Sequence, residues 1–140
     1  MKAYLSIKYH PDNRNRETIE RVSQILTTCG FETICIRRDI EHWGTVTLSP
    51  HELMTATLDA IRSCQIIVVD VTEKAVDIGI EAGYAYAHSI PVFTIAQEGS
   101  EVTATLDGLS TAVGFYRTPQ DLHECFIQLG LLSLNDLRPA

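Results

Sequence analysis

The chain has 140 residues, 45% hydrophobic and 21% charged, with a formal net charge of −7. That length makes one domain with enough chain for a packed core. The acidic balance and the lack of a basic stripe argue against a nucleic-acid polymer as partner, and the apolar runs fall far short of a membrane span.

Met1-Lys2 leads straight into a strand, with no apolar leader segment. Cys29, Cys35, Cys64 and Cys125 lack C-x-x-C spacing and read as reduced core thiols of a cytoplasmic protein. The five histidines are scattered, so neither a metal nor another cofactor is expected.

The first strand is Lys2–Lys8, followed by a polar, proline-cut loop at Tyr9–Asn13. A helix is expected from about Arg14 to Cys29, with Ile19, Val22, Ile25 and Leu26 on one face and Gly30 as its cap. Phe31–Arg37 reads as the second strand and Arg38–Leu48 as the longest irregular stretch. Ser49-Pro50-His51-Glu52 opens the second helix as N-cap, first-position proline and capping-box glutamate, with Leu53, Met54, Leu58 and Ile61 pointing inward. Ile66–Asp70 is a β-branched run suited to a central strand buried on both faces.

A polar loop, Thr72–Asp77, and a small-residue helix, Gly79–Ala87, come next. Pro91–Ala96 is the fourth strand, Glu101–Leu109 a short helix and Val113–Arg117 the last strand. Thr118-Pro119 caps a helix to about Leu131, and 132–140 is a tail, frayed or packed on a partner. Strands alternating with helices make a single-domain α/β fold: a doubly wound, five-stranded parallel sheet of order 2-1-3-4-5. Its ligand crevice lies beyond the carboxyl ends of the first and third strands.

The expected first turn of the third helix holds Glu81, flanked by Gly79 and Gly83. A carboxylate there is favoured in its ionised form by the helix dipole, as a nucleophile or general base needs to be. The same dipole rewards first-turn glutamates on ordinary helices, so position alone favours a structural role; the flanking glycines and the small-residue helix, which leave room above the carboxylate, shift the balance toward function. The crevice would gather Glu81, Asp77, Tyr4, Tyr9, Lys8, His10 and Arg14, with Arg37, Arg38 and Trp43 from the long loop. An aromatic for a base, cations for a phosphate and carboxylates for a sugar suit a nucleoside or nucleotide. Each also has a plain reading: Tyr4 as core, Trp43 as cover for the sheet edge, the cations as solvated surface. No G-x-G-x-x-G follows the first strand, no acidic pair stands there as in a receiver, and no nucleophile elbow is present.

Asp77-Ile78-Gly79-Ile80-Glu81-Ala82-Gly83-Tyr84-Ala85, with Ile90-Pro91-Val92 after it, resembles the signature of the nucleoside 2-deoxyribosyltransferase superfamily. That superfamily includes the nucleoside 5′-monophosphate N-glycosidases, and the resemblance spans roughly Lys2 to Leu122. It implies a flavodoxin-like fold and a homo-oligomer, dimeric or larger. It further implies that Glu81 attacks the anomeric carbon with Tyr4 assisting. Arg37-Arg38 through Trp43-Gly44, and Leu48-Ser49-Pro50, resemble the CMP-type N-glycosidases. Thr103, five residues before Gly108, matches a hydroxyl that reaches the phosphate of the neighbouring subunit.

Three positions depart from the pattern. Thr57 stands where an aspartate is usual, Ser6-Ile7 where a glycine is frequent, and Asp77 where a phosphate-loop glycine is common. The expected substrate-binding set is therefore Lys8, His10, Arg14, Arg38, Trp43, Thr57, Asp77, Gly79 and Thr103. Lys8, His10, Arg14 and Thr103 would serve one phosphate, favouring 5′-monophosphates. The activity implied is cleavage or transfer at an N-glycosidic bond. A TIR-like NAD glycohydrolase or signalling module, or a non-catalytic nucleotide sensor, are the alternatives.

Overall fold

The computed structural model describes residues 1–132; all but the first residue of the expected tail lies outside the described residues. Five strands, β1 (Lys2–Ser6), β2 (Glu32–Ile34), β3 (Ile66–Asp70), β4 (Val92–Gln97) and β5 (Ala112–Tyr116), form one parallel sheet. Their order is β2-β1-β3-β4-β5, as expected. Every residue of β3 is buried, which is why that segment carries no polar alternation.

The pleat sends alternate residues to opposite faces, and two cores result. Ala3, Leu5, Ile66, Val68, Phe93 and Ile95 pack on one face beneath α1 (Arg16–Thr28) and α6 (Leu122–Gln128). Tyr4, Ile67, Val69, Val92 and Ala96 face the other side. There they meet Ile61 of α3 (Pro50–Arg62), Ile78, Ala82 and Ala85 of α4 (Val76–Ala87), and Leu106 of α5 (Ala104–Leu109). Small residues at 82 and 85 let α4 lie close to the sheet. Among the described residues no helix is long and apolar enough to cross a membrane.

Several boundaries follow the capping chemistry. Gly30 takes a φ of 92° after α1, and the Phe31 N–H donates to the Leu26 carbonyl at 2.9 Å. Ser49 Oγ accepts from the Glu52 N–H at 3.2 Å to start α3.

Other boundaries differ from the sequence reading. Strand β2 stops at Ile34 because the Asp39 carboxylate accepts the Cys35 N–H at 2.8 Å, closing a helical turn, α2 (Ile36–Asp39). The loop beyond it winds a 3-10 turn at His42–Gly44. Helix α4 begins at Val76, so Asp77 occupies its first turn and Glu81 its second. The expected dipole contribution to Glu81 is therefore weak, since that effect fades beyond the first turn. The C-terminal helix ends at Gln128, preceded by a 3-10 turn at Pro119–Asp121.

Candidate active site

A cavity of about 310 Å³ opens beyond the carboxyl ends of β1 and β3, the place a reversal of strand order leaves free. Strand β1 and its loop contribute Tyr4, Lys8, Tyr9 and His10; α2 and the residues after it contribute Ile36, Arg37 and Glu41. Helix α3 presents Leu53, Met54 and Thr57, one helical face. Helix α4 presents Asp77, Ile78, Ile80 and Glu81. The volume lies at the small end of ligand pockets.

Tyr4 and Ser6 are two residues apart on β1 and so share the face that α4 covers; each is 1% exposed. Both hydroxyls lie close enough to the partly buried Glu81 to act on its carboxylate as hydrogen-bond donors. Burial pushes the Glu81 pKa up to about 7; the Ser6 and Tyr4 hydroxyls pull the other way, and Asp77 adds to the rise. This reverses the expectation of a dipole-favoured, readily ionised carboxylate: desolvation wins once Glu81 sits in the second turn. The Tyr4 phenol is held well above its ordinary value, first by burial and then by Glu81. Ser6 Oγ is buried without a partner at full hydrogen-bond geometry, so its approach to Glu81 is looser than a formed bond. Tyr4 and Glu81 line the cavity, and with the buried Ser6 hydroxyl they make an incompletely satisfied polar patch.

Around the mouth the charges are paired. His10 Nε2 lies 3.1 Å from Glu73 Oε1, and Lys8 Nζ lies 3.9 Å from Glu73 Oε2. Arg37 donates to Asn13 Oδ1 at 2.7 Å and to the Pro11 carbonyl at 3.1 Å. It pairs with Glu41 at 3.6 Å and stacks over the Tyr9 ring at 4.8 Å. Thr57 lines the wall, but its hydroxyl donates to the Leu53 carbonyl at 2.8 Å.

Not all of the expected set gathers here. Lys8, His10, Thr57, Asp77, Tyr4 and Glu81 do. Arg14 turns away to Asp12 at 3.0 Å. Arg38 is drawn to Asp39 at 3.0 Å and to the Thr33 carbonyl at 2.7 Å, on the far side of α2. Trp43 sits at a φ of 59°, its carbonyl held by Asn13 Nδ2 at 2.8 Å and its ring beneath Arg16 at 4.5 Å. Gly79 faces outward from α4 and, with Thr103, borders a separate depression between α4 and α5. Thr103 Oγ1 caps α5 through the Leu106 N–H.

Ser6, Glu41 and Glu73 do not stand out in the sequence as site residues. Pleat spacing from Tyr4 points to Ser6, but an acid in a polar loop, such as Glu73, carries no local signal.

No protein-family model matches the sequence, and no curated protein matches it. Solved structures share the fold. A 2-deoxyribosyltransferase from Bacillus psychrosaccharolyticus superposes with a TM-score of 0.69 at 16% identity, over 92% of this chain and 96% of its own. The Clostridium botulinum CMP N-glycosidase BcmB gives 0.66 at 18% identity, over 96% and 99%. A conserved protein from Enterococcus faecalis V583 gives 0.67 at 16%, over 91% and 98%.

Proposed function

We propose that the protein cleaves or transfers at the N-glycosidic bond of a nucleoside or nucleoside 5′-monophosphate, with Glu81 as nucleophile. One observation carries the reading: a carboxylate with a pKa raised to about 7 faces a ligand-sized cavity beside two buried hydroxyls. Groups perturbed by burial inside a cleft mark functional sites. That two solved structures of this fold are a 2-deoxyribosyltransferase and a CMP N-glycosidase gives the reading its chemical class.

A Glu81 oxygen bonds to C1′ as the C1′–N bond breaks, and the base leaves with that electron pair and takes up a proton. Water, or a second base, then displaces the carboxylate. The Tyr4 hydroxyl orients the attacking oxygen. Tyr9, with Arg37 stacked on one side of its ring, offers the base an aromatic edge. A second copy of the chain covers the outer side of α4, where Val76 is 81% and Ile80 51% exposed.

The test is incubation with a panel of nucleosides, 5′-monophosphates and NAD, with free base separated by chromatography. Base from nucleosides or monophosphates supports the proposal. Base from NAD alone favours the glycohydrolase alternative. No base from any of them leaves a nucleotide sensor, a reading helped by the Thr57 hydroxyl being engaged by its own helix.

A further inference from the structure

We propose that Glu73 sets the charge preference of this cavity, so that a nucleoside with a free 5′-hydroxyl is taken over its 5′-monophosphate. This preference rests on the N-glycosidic reading above and is the opposite of the one expected from the sequence.

Glu81 fixes the orientation of the sugar. With its carboxylate facing C1′, we place the 5′ end along α4, which leaves two directions. Toward the C-terminus, Ala82 and Ala85 are buried against the sheet, and there is no room. Toward the N-terminus, one turn or about 6 Å away, Asp77 lines the cavity opposite Lys8 and His10. That is the end a 5′-phosphate would occupy, and its nitrogen donors are already held. Glu73 reaches across from the loop between β3 and α4 and places one oxygen 3.1 Å from His10 Nε2 and the other 3.9 Å from Lys8 Nζ. The remaining cation of the wall, Arg37, is held by Glu41, Asn13 and the Pro11 carbonyl. Two fixed cations, Lys8 and Arg37, thus line the cavity with three carboxylates, Glu41, Asp77 and Glu81, and Glu73 stands at its rim against Lys8 and His10.

A phosphate entering there meets like charge on Glu73 and Asp77 and finds its counter-ions engaged, and like charges brought together select against the wrong ligand. A hydroxyl meets the opposite situation. It donates a charge-assisted hydrogen bond to either carboxylate and leaves the Glu73 bridge in place.

The experiment compares kcat/KM for a nucleoside and its own 5′-monophosphate, in the parent protein, in Glu73→Gln and in Glu73→Ala. The parent is expected to favour the nucleoside by about tenfold or more, the scale of one charge-assisted contact. Both variants should shift the ratio toward the monophosphate by at least about tenfold, with the shift reduced in high salt. A parent that favours the monophosphate, or a ratio that neither variant moves, overturns the proposal. If no base is released at all, calorimetric binding of the same two ligands and of inorganic phosphate tests Glu73 independently of catalysis. Phosphate or monophosphate that binds Glu73→Gln about tenfold more tightly than the parent upholds the role of Glu73 while the glycosidase reading falls. Equal affinities, or no binding to either protein, overturn it.

Discussion

Two buried tyrosines stand beside carboxylates in this sheet, and they are treated differently. At the β5 end, Tyr116 donates to Asp70 Oδ2 at 2.7 Å, and Asp70 Oδ1 accepts the Thr72 N–H at 2.9 Å. Thr72 Oγ1 lies 3.2 Å from the Tyr116 oxygen and accepts the Gln97 N–H at 3.0 Å. At the β1 end, Tyr4, Ser6 and Glu81 are loosely joined, and one hydroxyl has no partner of full geometry. A closed network of polar groups stabilises; an open one at a cavity holds unused hydrogen-bonding capacity that a ligand can satisfy. The contrast separates a tyrosine locked in a closed network from one beside unused hydrogen-bonding capacity, where burial alone does not.

The largest expected effect tests the open patch. Glu81→Gln keeps the volume and removes the charge proposed to attack C1′, so base release should fall by at least about a thousandfold. Stability should move the other way. The folded pKa of Glu81 is raised from 4.5 to about 7, so the unfolded chain loses this proton first as pH rises. The parent therefore loses stability between roughly pH 4.5 and 7 and levels off above. Each pKa unit corresponds to about 1.4 kcal/mol, so Glu81→Gln should gain up to about 3 kcal/mol at pH 8 and almost nothing at pH 4. Melting curves at both pH values check it. An equal Tm change at both would mean that desolvation does not act on Glu81.

The same titration governs the rate. If the ionised carboxylate attacks, kcat/KM should rise tenfold per pH unit below about 7 and flatten above it. A profile flat from pH 5 to 8 would detach the raised pKa from the chemistry.

The two tyrosines should then diverge. Tyr116→Phe strips a donor from the buried Asp70 carboxylate, costing about 2 kcal/mol and roughly 5–10 °C of Tm, with activity per folded molecule unchanged. Tyr4→Phe should cost less than about 1 kcal/mol, because no full hydrogen bond is lost, yet slow base release by about tenfold. The reverse pattern would break the comparison.

Much of this arrangement was legible in the sequence. The apolar run Ile66–Val69 and the alternation of short strands with amphipathic helices carry the sheet order by themselves, because burial on both faces leaves few other topologies. That Tyr4 and Glu81 line one cavity fits two separate sequence signals, the motif around Gly79–Tyr84 for Glu81 and the resemblance of the first strand for Tyr4. What stayed hidden depends on side chains choosing among nearby partners. Arg38 and Trp43 have the chemistry of site residues, but Asp39 and Arg16 lie closer to them than the cavity does. Asp39 also ends β2 early by closing a turn on Cys35, which no hydrophobic period reports. The start of α4 at Val76 moves Glu81 by half a turn or more, enough to replace dipole stabilisation by desolvation as the dominant influence on its charge.

The smallest expected effect concerns the outer face of α4. Val76, Ile80, Gly83 and Ala87 fall at helical spacing on one stripe, and Val76 and Ile80 stand 81% and 51% exposed in the isolated chain. A Cβ built on Gly83 meets nothing within 4 Å. In a monomer, Gly83→Ala should therefore stabilise by about 0.5–1 kcal/mol, because alanine has less backbone freedom to lose in a helix. If a second copy packs on this stripe, the added methyl intrudes on a surface that glycine lets approach closely, and self-association weakens. The expected result is a lower association constant by sedimentation together with a Tm that rises only at protein concentrations low enough to dissociate the parent. A monomeric parent and a plain gain in Tm at every concentration would leave α4 facing solvent, and the site would be complete within one chain.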